Sequence, residues 1–189
     1  MKAFRNFFAS GRYLHDQKLA IACWFLLPLI VFLQTFLKKE FNNFLIFRQV
    51  FFHLHQQKNL YLPYPAEYGD VNLYGPAFGV FVAPFAVLPV SVGVCCWTLF
   101  HLCFLGIAIY QLPLPRMWRT TVLLLSSHEM MVNTSWMQTN GFICGCLLLG
   151  FALVHKQKEW AALFFILLAT FVKVYGIVGL CFFLFSKQK

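Results

Sequence analysis

Charge is the scarcest thing in this 189-residue chain. Asp, Glu, Lys and Arg make up 11% of it, and only 6 residues are acidic. A soluble domain carries about 25% charged residues, so this composition cannot cover a water-facing surface. The glycine-rich phosphate loop, the dinucleotide-binding fingerprint and the H-E-x-x-H zinc motif are all missing. C-x-x-C spacing is missing as well. Cys95-Cys96 and Cys144-Gly145-Cys146 sit in apolar runs and read as small buried hydrophobes. His53-Leu54-His55 puts its rings on different helix faces, which suits interfacial anchoring better than metal binding. No metal site is expected.

What is present is apolar. Hydrophobic residues account for 60% and Phe alone for 24 positions, which excludes disorder. The expected class is all-α, a polytopic helical membrane protein. In a soluble protein the net charge of +9 would suggest nucleic acid. Here the basic residues flank membrane spans as topology signals, and no nucleic-acid partner is expected.

Lys2, Arg5, Arg12 and Lys18 precede the first apolar run, and Leu19 to Leu37 then carries no charge. These 19 residues would form about 28 Å of helix, close to one bilayer core. Residues 38–74 form the longest polar stretch. In its first part Phe44, Phe47, Phe51 and Leu54 recur every three or four residues. That spacing predicts an amphipathic helix over Phe41 to Gln57, lying on the membrane surface. Its second part, rich in Tyr, Pro, Asn and Gly, reads as turns with Tyr61, Tyr64, Tyr68 and Tyr74 in the interfacial belt.

Val71 to Pro115 has no Asp, Glu, Lys or Arg, which suits two spans broken at Leu88-Pro89. Thr120 to Ser127 is apolar for only eight residues before His128 and Glu129. The expected spans are 19–37, 75–89, 92–112, 120–136 (short or re-entrant), 139–154, 160–173 and 175–185, in a single membrane domain. The basic clusters at 155–158 and 187–189 read as cytoplasmic, and the 38–74 loop as extracytoplasmic. The expected location is the inner (cytoplasmic) membrane, multi-pass. The apolar run ends abruptly at Lys187, so the chain is expected to be the front part of a longer protein.

Four polar features stand where polarity is costly. Glu40-Phe41-Asn42-Asn43 sits just past the first span. Tyr74-Gly75-Pro76, with Pro84 and Leu88-Pro89, marks the second. Gln138-Thr139-Asn140 opens a later span with two amides. Lys173 interrupts the apolar stretch Trp160 to Phe185, about 20 Å of helix from its charged flanks. One straight helix would place Lys173 at mid-membrane; a turn near Lys173-Val174-Tyr175-Gly176 would place it in the outer half.

In order and spacing these motifs resemble glycosyltransferase family 87, the polyprenol-phosphate-sugar-dependent integral membrane mannosyltransferases of the GT-C fold. The likeness is greatest to its Bacteroides-group branch and runs from about Asn42 to Leu184. The family members look about twice as long as this chain. The resemblance implies that the family's catalytic-loop Asp falls on Asn43 or Asn42, with Phe44 behind it. An amide cannot serve as a general base. This branch would then use Glu40, or Asp70 or Glu67 further along the loop, or have lost the activity. The family's Gln-x-Asn falls on Gln138 and Asn140. Its Lys-x-Tyr-Pro falls on Lys173 and Tyr175, with Gly176 in place of Pro.

On that likeness the donor is a polyprenol-phosphate sugar, the acceptor a glycan or lipid, and the partner a membrane lipid surface. Transfer proceeds with inversion and needs no separate cofactor. Glu40 is the expected first carboxylate and Asp70 the second. Asn42, Asn43, Arg48, Tyr74, Gln138, Asn140, Lys173 and Tyr175 are the expected substrate contacts. Positive charge for the leaving phosphate would come from Lys173, Arg48 or Arg116. The competing class is a transporter or channel-like subunit in which Lys173 and Glu129 belong to an ion or substrate path.

Overall fold

A computed structural model describes residues 11–186. The topology signals Lys2, Arg5, Lys187 and Lys189 lie outside the described residues. A 3-10 turn, Arg12–His15, leads into α1 (Gln17–Lys38), α2 (Asn42–His55), α3 (Pro76–Ala86), α4 (Val90–Gln111), α5 (Arg116–Ser135), α6 (Asn140–His155) and α7 (Glu159–Val172). A 3-10 helix, Val174–Phe185, follows. No strand occurs among the described residues.

Local chemistry sets the helix ends. Asp16 caps α1 by accepting from Leu19 N at 3.0 Å. Proline stands at or just before the start of α3, α4 and α5, as Pro76, Pro89 and Pro115. Helices α1, α2, α5 and α6 close through Lys39, Gln57, Met137 and Gln157, all at positive φ. Glycine usually takes that position; here none does.

Among the described residues two helices are long and apolar enough to cross a membrane, α1 and α4. At 22 residues each they measure about 33 Å. The other five expected spans differ from this pattern: those at 139–154, 160–173 and 175–185 are apolar helices of only 16, 14 and 12 residues. The segment 75–89 forms only the 11-residue α3, about 16 Å and half a bilayer core. The segment 120–136 is neither short nor re-entrant but belongs to a continuous 20-residue helix starting at Arg116. Its hydroxyls do not interrupt it, because they bond back within the helix: Thr120 to Arg116 O at 3.0 Å and Thr134 to Met130 O at 2.9 Å.

The chain breaks at Lys173, whose backbone is extended (φ −144°, ψ 129°), and doubles back. Phe182 meets Phe151 edge to face at 5.6 Å, and Ser186 bonds Glu159 at the start of α7. Lys173 is therefore at the tip of a hairpin. Gly176 serves this turn by close approach and not by a left-handed φ. A Cβ there would lie 2.5 Å from the backbone of Ala169 and Thr170.

The bundle has two chemically distinct ends. At one end Thr121 donates to Leu14 O at 2.9 Å, Arg116 bonds Gln17, and Lys156 reaches Gln111 at 2.8 Å. This is the basic end. At the other, Asn43 reaches the Trp136 carbonyl, Tyr74 reaches Thr139, and Lys173 reaches Asn140. This is the loop end, where residues 39–75 sit. Helices α1 and α5 run side by side in the same direction between the two.

The core beneath the loop end is aromatic. Phe47 packs within 5.0 Å of Tyr74 and Phe78 and 5.5 Å of Trp97, all buried. The apolar face of α2 is thus covered by protein, through Phe44, Phe47 and Val50. Gly93 of α4 admits this packing, since a Cβ there would stand 2.7 Å from Phe44 and from the Phe85 carbonyl. A second cluster joins Trp24, Leu102, Leu105, Ile109 and Met130. Of the four cysteines read as buried, Cys146 is, Cys95 and Cys96 are half-buried, and Cys144 lies exposed.

Candidate active site

Two adjoining clefts open at the loop end. The larger, about 640 Å³, is walled by Gln34, Lys38, Glu40, Asn42, Asn43, Asp70 and Trp136, among others. The smaller, about 250 Å³, is walled by Asn43, Phe47, Asp70, Tyr74, Gln138 and Lys173, among others. Asn43 and Asp70 belong to both. Residues 40, 70, 138 and 173 are far apart in sequence and meet here.

The walls are held by side-chain-to-backbone bonds. Asn43 Nδ2 donates to Trp136 O at 2.7 Å, tying the start of α2 to the end of α5. Asn42 Oδ1 accepts from Gly69 N at 2.8 Å, tying α2 to the loop. Asn72 clasps Tyr74 at both backbone atoms, at 2.9 and 2.8 Å. The Tyr74 hydroxyl lies 3.3 Å from that of Thr139, and its ring stacks on Phe78 at 4.3 Å. Each of these bonds fixes a residue that faces or supports a cleft.

The only fixed cation bordering the smaller cleft is Lys173, among the described residues. Its Nζ donates to Asn140 Oδ1 at 3.3 Å, and the Tyr175 hydroxyl donates to the same oxygen at 3.2 Å. The ammonium also lies 5.4 Å from the Tyr74 ring and 5.7 Å from the Tyr175 ring. Two aromatic faces and one amide oxygen stabilise it, and none of them neutralises it. Glu129 is not its partner: that carboxylate sits 3.7 Å from His128, with its side chain 79% exposed.

The three loop carboxylates differ. Glu40 is 66% exposed and sits 4.0 Å from Lys38; it lines only the larger cleft. Asp70 accepts from Val71 N at 2.7 Å through Oδ1 and lines both clefts. Glu67 points elsewhere, bonding the buried His53 at 2.8 Å. His53 is accordingly not an interfacial anchor; at 2% exposure it fastens α2 to the loop, and Tyr64 covers it at 4.1 Å. Burial, and then the Glu67 carboxylate, push the neighbouring Tyr68 phenol above its ordinary pKa.

Two expected cations are elsewhere. Arg48 lines neither cleft, and its guanidinium lies 4.8 Å from the Phe52 ring. Arg116 is at the opposite end of the bundle, bonded to Gln17, so it cannot share a phosphate with Lys173. Sequence reasoning missed Asn72, Thr139 and the Trp136 carbonyl. The pattern Asn72-x-Tyr74, an Asx turn just before a proline-started helix, was the one available signal. Among the described residues no three His, Cys, Asp or Glu gather as a metal site.

A helical bundle with two helices long and apolar enough to span, and two adjoining polar clefts at one end, defines a helical membrane-protein fold. The profile of glycosyltransferase family 87 matches residues 72–189. The chain belongs to this family of membrane glycosyltransferases. No curated protein and no solved structure matches it.

Proposed function

We propose that the loop end transfers a hexose, mannose by the family likeness, from a polyprenol-phosphate donor to a glycan or lipid acceptor with inversion. The observation that carries this reading is the shared wall: Asn43 and Asp70 line both clefts, and Lys173 borders one of them. A two-substrate reaction needs that arrangement, with each substrate in its own cleft and the reacting groups at the junction.

The donor phosphate lies at Lys173, in the smaller cleft, and its polyprenyl tail leaves toward lipid. The acceptor hydroxyl enters the larger cleft. Asp70 takes the hydroxyl proton as the oxygen bonds to the anomeric carbon from the face opposite the phosphate. The sugar–phosphate C–O bond breaks, its electron pair leaves on the phosphate, and Lys173 stabilises the charge that develops there. Tyr74 and Tyr175 hold the Lys173 ammonium in place, and Asn140 aligns it. Nothing in this sequence of steps needs a nucleotide.

The same reading orients the chain in a cell inner membrane. The basic end carries Lys18, Arg116, Arg119, Lys156 and Lys158 against Asp16 and Glu159, and is the cytoplasmic side. The loop end carries Glu40, Glu67 and Asp70 against Lys38, Lys39, Arg48, Lys58 and Lys173, a smaller basic excess, and faces the other side, where lipid-phosphate sugars are presented. The deciding experiment supplies radiolabelled polyprenol-phosphate mannose, and the corresponding glucose donor, to membranes containing the protein. Sugar transfer that the Asp70→Asn variant lacks is the expected result. Absence of transfer from every lipid-phosphate sugar tried would overturn the proposal.

A further inference from the structure

The basic end contains a second kind of site, unrelated to the proposed reaction. A cleft of about 440 Å³ lies between α1, α4 and α5, with Gln17, Tyr110, Arg116, Arg119 and Thr120 on its polar side. Ile21, Ile109 and Leu123 line its apolar side.

Two guanidiniums converge there without a counter-charge. Arg116 bonds the neutral amide of Gln17. Arg119 donates to the Tyr110 carbonyl at 2.7 Å and lies 4.8 Å from the Tyr110 ring. Its Nε is buried and has no hydrogen-bond partner. The chain has 6 acidic residues, and each is committed elsewhere. Asp16 caps α1, Glu129 sits by His128, and Glu159 bonds Ser186. Glu40, Glu67 and Asp70 are at the loop end.

Both arginines also occupy the first turn of α5, a helix of 20 residues with no side-chain cap and no acid in that turn. A helix N-terminus is already positive, so cations there are destabilising unless an anion joins them. Two guanidiniums at a helix N-terminus therefore line one cleft that has no carboxylate on its walls. An anion with several oxygens would neutralise both, and a guanidinium fork matches the spacing of phosphate oxygens.

The walls tell which anion. Ile21 is 42% exposed and begins an outward-facing apolar stripe with Phe25 and Leu29 along α1. Trp118 and Tyr110, both exposed, flank the cleft at the ends of α4 and α5, and such side chains favour the headgroup level. A ligand placed here has its charge against the arginines and its tail along α1. The geometry points to a binding site for the phosphodiester of an anionic phospholipid, at the end of the bundle opposite the two clefts of the proposed reaction. Free phosphate would satisfy the arginines and leave the apolar wall uncovered.

The test uses the full chain in nanodiscs of phosphatidylcholine with a minority of phosphatidylglycerol, followed by native mass spectrometry of the lipid retained on release. Phosphatidylglycerol should be retained about tenfold over its share of the bilayer, equivalent to about 1.4 kcal/mol. The Arg116→Gln, Arg119→Gln double variant should lose that preference and keep its phosphatidylcholine. Equal retention of the two lipids, or an unchanged preference in the double variant, would overturn the proposal. Displacement by inorganic phosphate at matched ionic strength would assign the site to the free ion and overturn the lipid assignment. Should the double variant fail to fold, a photoreactive phosphatidylglycerol on the unaltered protein decides. Labelling within residues 17–21 and 106–123 supports the site, and labelling confined elsewhere removes it.

Discussion

The two ends of the bundle are built from similar residues and differ in how those residues are held. At the loop end three asparagine side chains are bonded to backbone: Asn42 to Gly69, Asn43 to Trp136, Asn72 to Tyr74. The result is a pair of clefts with fixed walls, a lysine in each (Lys38 and Lys173) and the Asp70 carboxylate at the junction. At the basic end Arg116 and Arg119 line a cleft with no carboxylate on its walls, and Arg119 Nε, like Arg48 Nε on α2, has no acceptor. Positioned geometry is what a reaction needs, because small displacements of reacting groups are costly. Unsatisfied charge is what a binding site for an anion needs. The contrast predicts that substitutions at the loop end alter turnover, whereas those at the basic end alter which lipid is bound.

The largest effect should come from Asp70→Asn. Loss of a general base lowers the rate by about 10²–10⁴-fold. The bond from Val71 N survives, because the amide oxygen still accepts, so folding should be little changed. Transfer assays paired with thermal unfolding measure both. An Asp70→Asn protein with full turnover would remove Asp70 from the mechanism and return the question to Glu40.

Next comes Lys173→Met. A hydrogen bond to a charged group contributes about 1.5–3 kcal/mol, so donor binding should weaken roughly 10–100-fold. Asn140 Oδ1 keeps its bond from Tyr175, which should preserve the hairpin tip. Donor titration followed by binding separates the outcomes. Collapse of expression with unchanged donor affinity in the surviving protein would make Lys173 a structural residue.

These variants also show what was legible beforehand. Lys173, Asn140 and Tyr175 stood out because polar groups in apolar runs are expensive, and the structure brings the three together. Asn72 and Thr139 did not stand out, because their roles are bonds that exist only once the fold is formed. Arg116 was grouped with Lys173 because both are cations flanking apolar runs; sequence alone could not say that α5 starts at the opposite end from the hairpin tip. The short α3 was hidden for a related reason. From Val71 to Pro115 no charge marks where a helix stops, so hydropathy alone cannot distinguish 11 helical residues from a full span. The helix ends at Lys39, Gln57, Met137 and Gln157 carry no glycine signal at all.

A smaller effect distinguishes two adjacent amides. Asn43 uses its Nδ2 to donate to the Trp136 carbonyl, whereas Asn42 uses its Oδ1 to accept from Gly69 N. A carboxylate can replace an acceptor but not a donor. Asn43→Asp would set two oxygens against each other at 2.7 Å and should cost about 1–3 kcal/mol of stability. Asn42→Asp should stay within about 0.5 kcal/mol. Denaturant melts of the pair test this. Equal losses would mean that these bonds do not hold the walls. The expected asymmetry also gives a physical reason why position 43 carries an amide where the family likeness implies Asp.

The smallest effect should come from Glu40→Gln. Its side chain is 66% exposed, and its nearest cation, Lys38 at 4.0 Å, is just as exposed. An ion pair of this kind contributes about 0–1 kcal/mol, and salt screens it further. Glu40 lines the larger cleft only, away from Lys173, so it meets the acceptor before it could meet the reacting carbon. Its removal should therefore change turnover less than about twofold by the same weak-pair argument, with any effect confined to KM for the acceptor. Steady-state kinetics with varied acceptor at saturating donor give the two parameters separately. A fall in kcat comparable to that of Asp70→Asn would place the base at the mouth of the larger cleft instead of at the junction, and the roles of the two carboxylates would exchange.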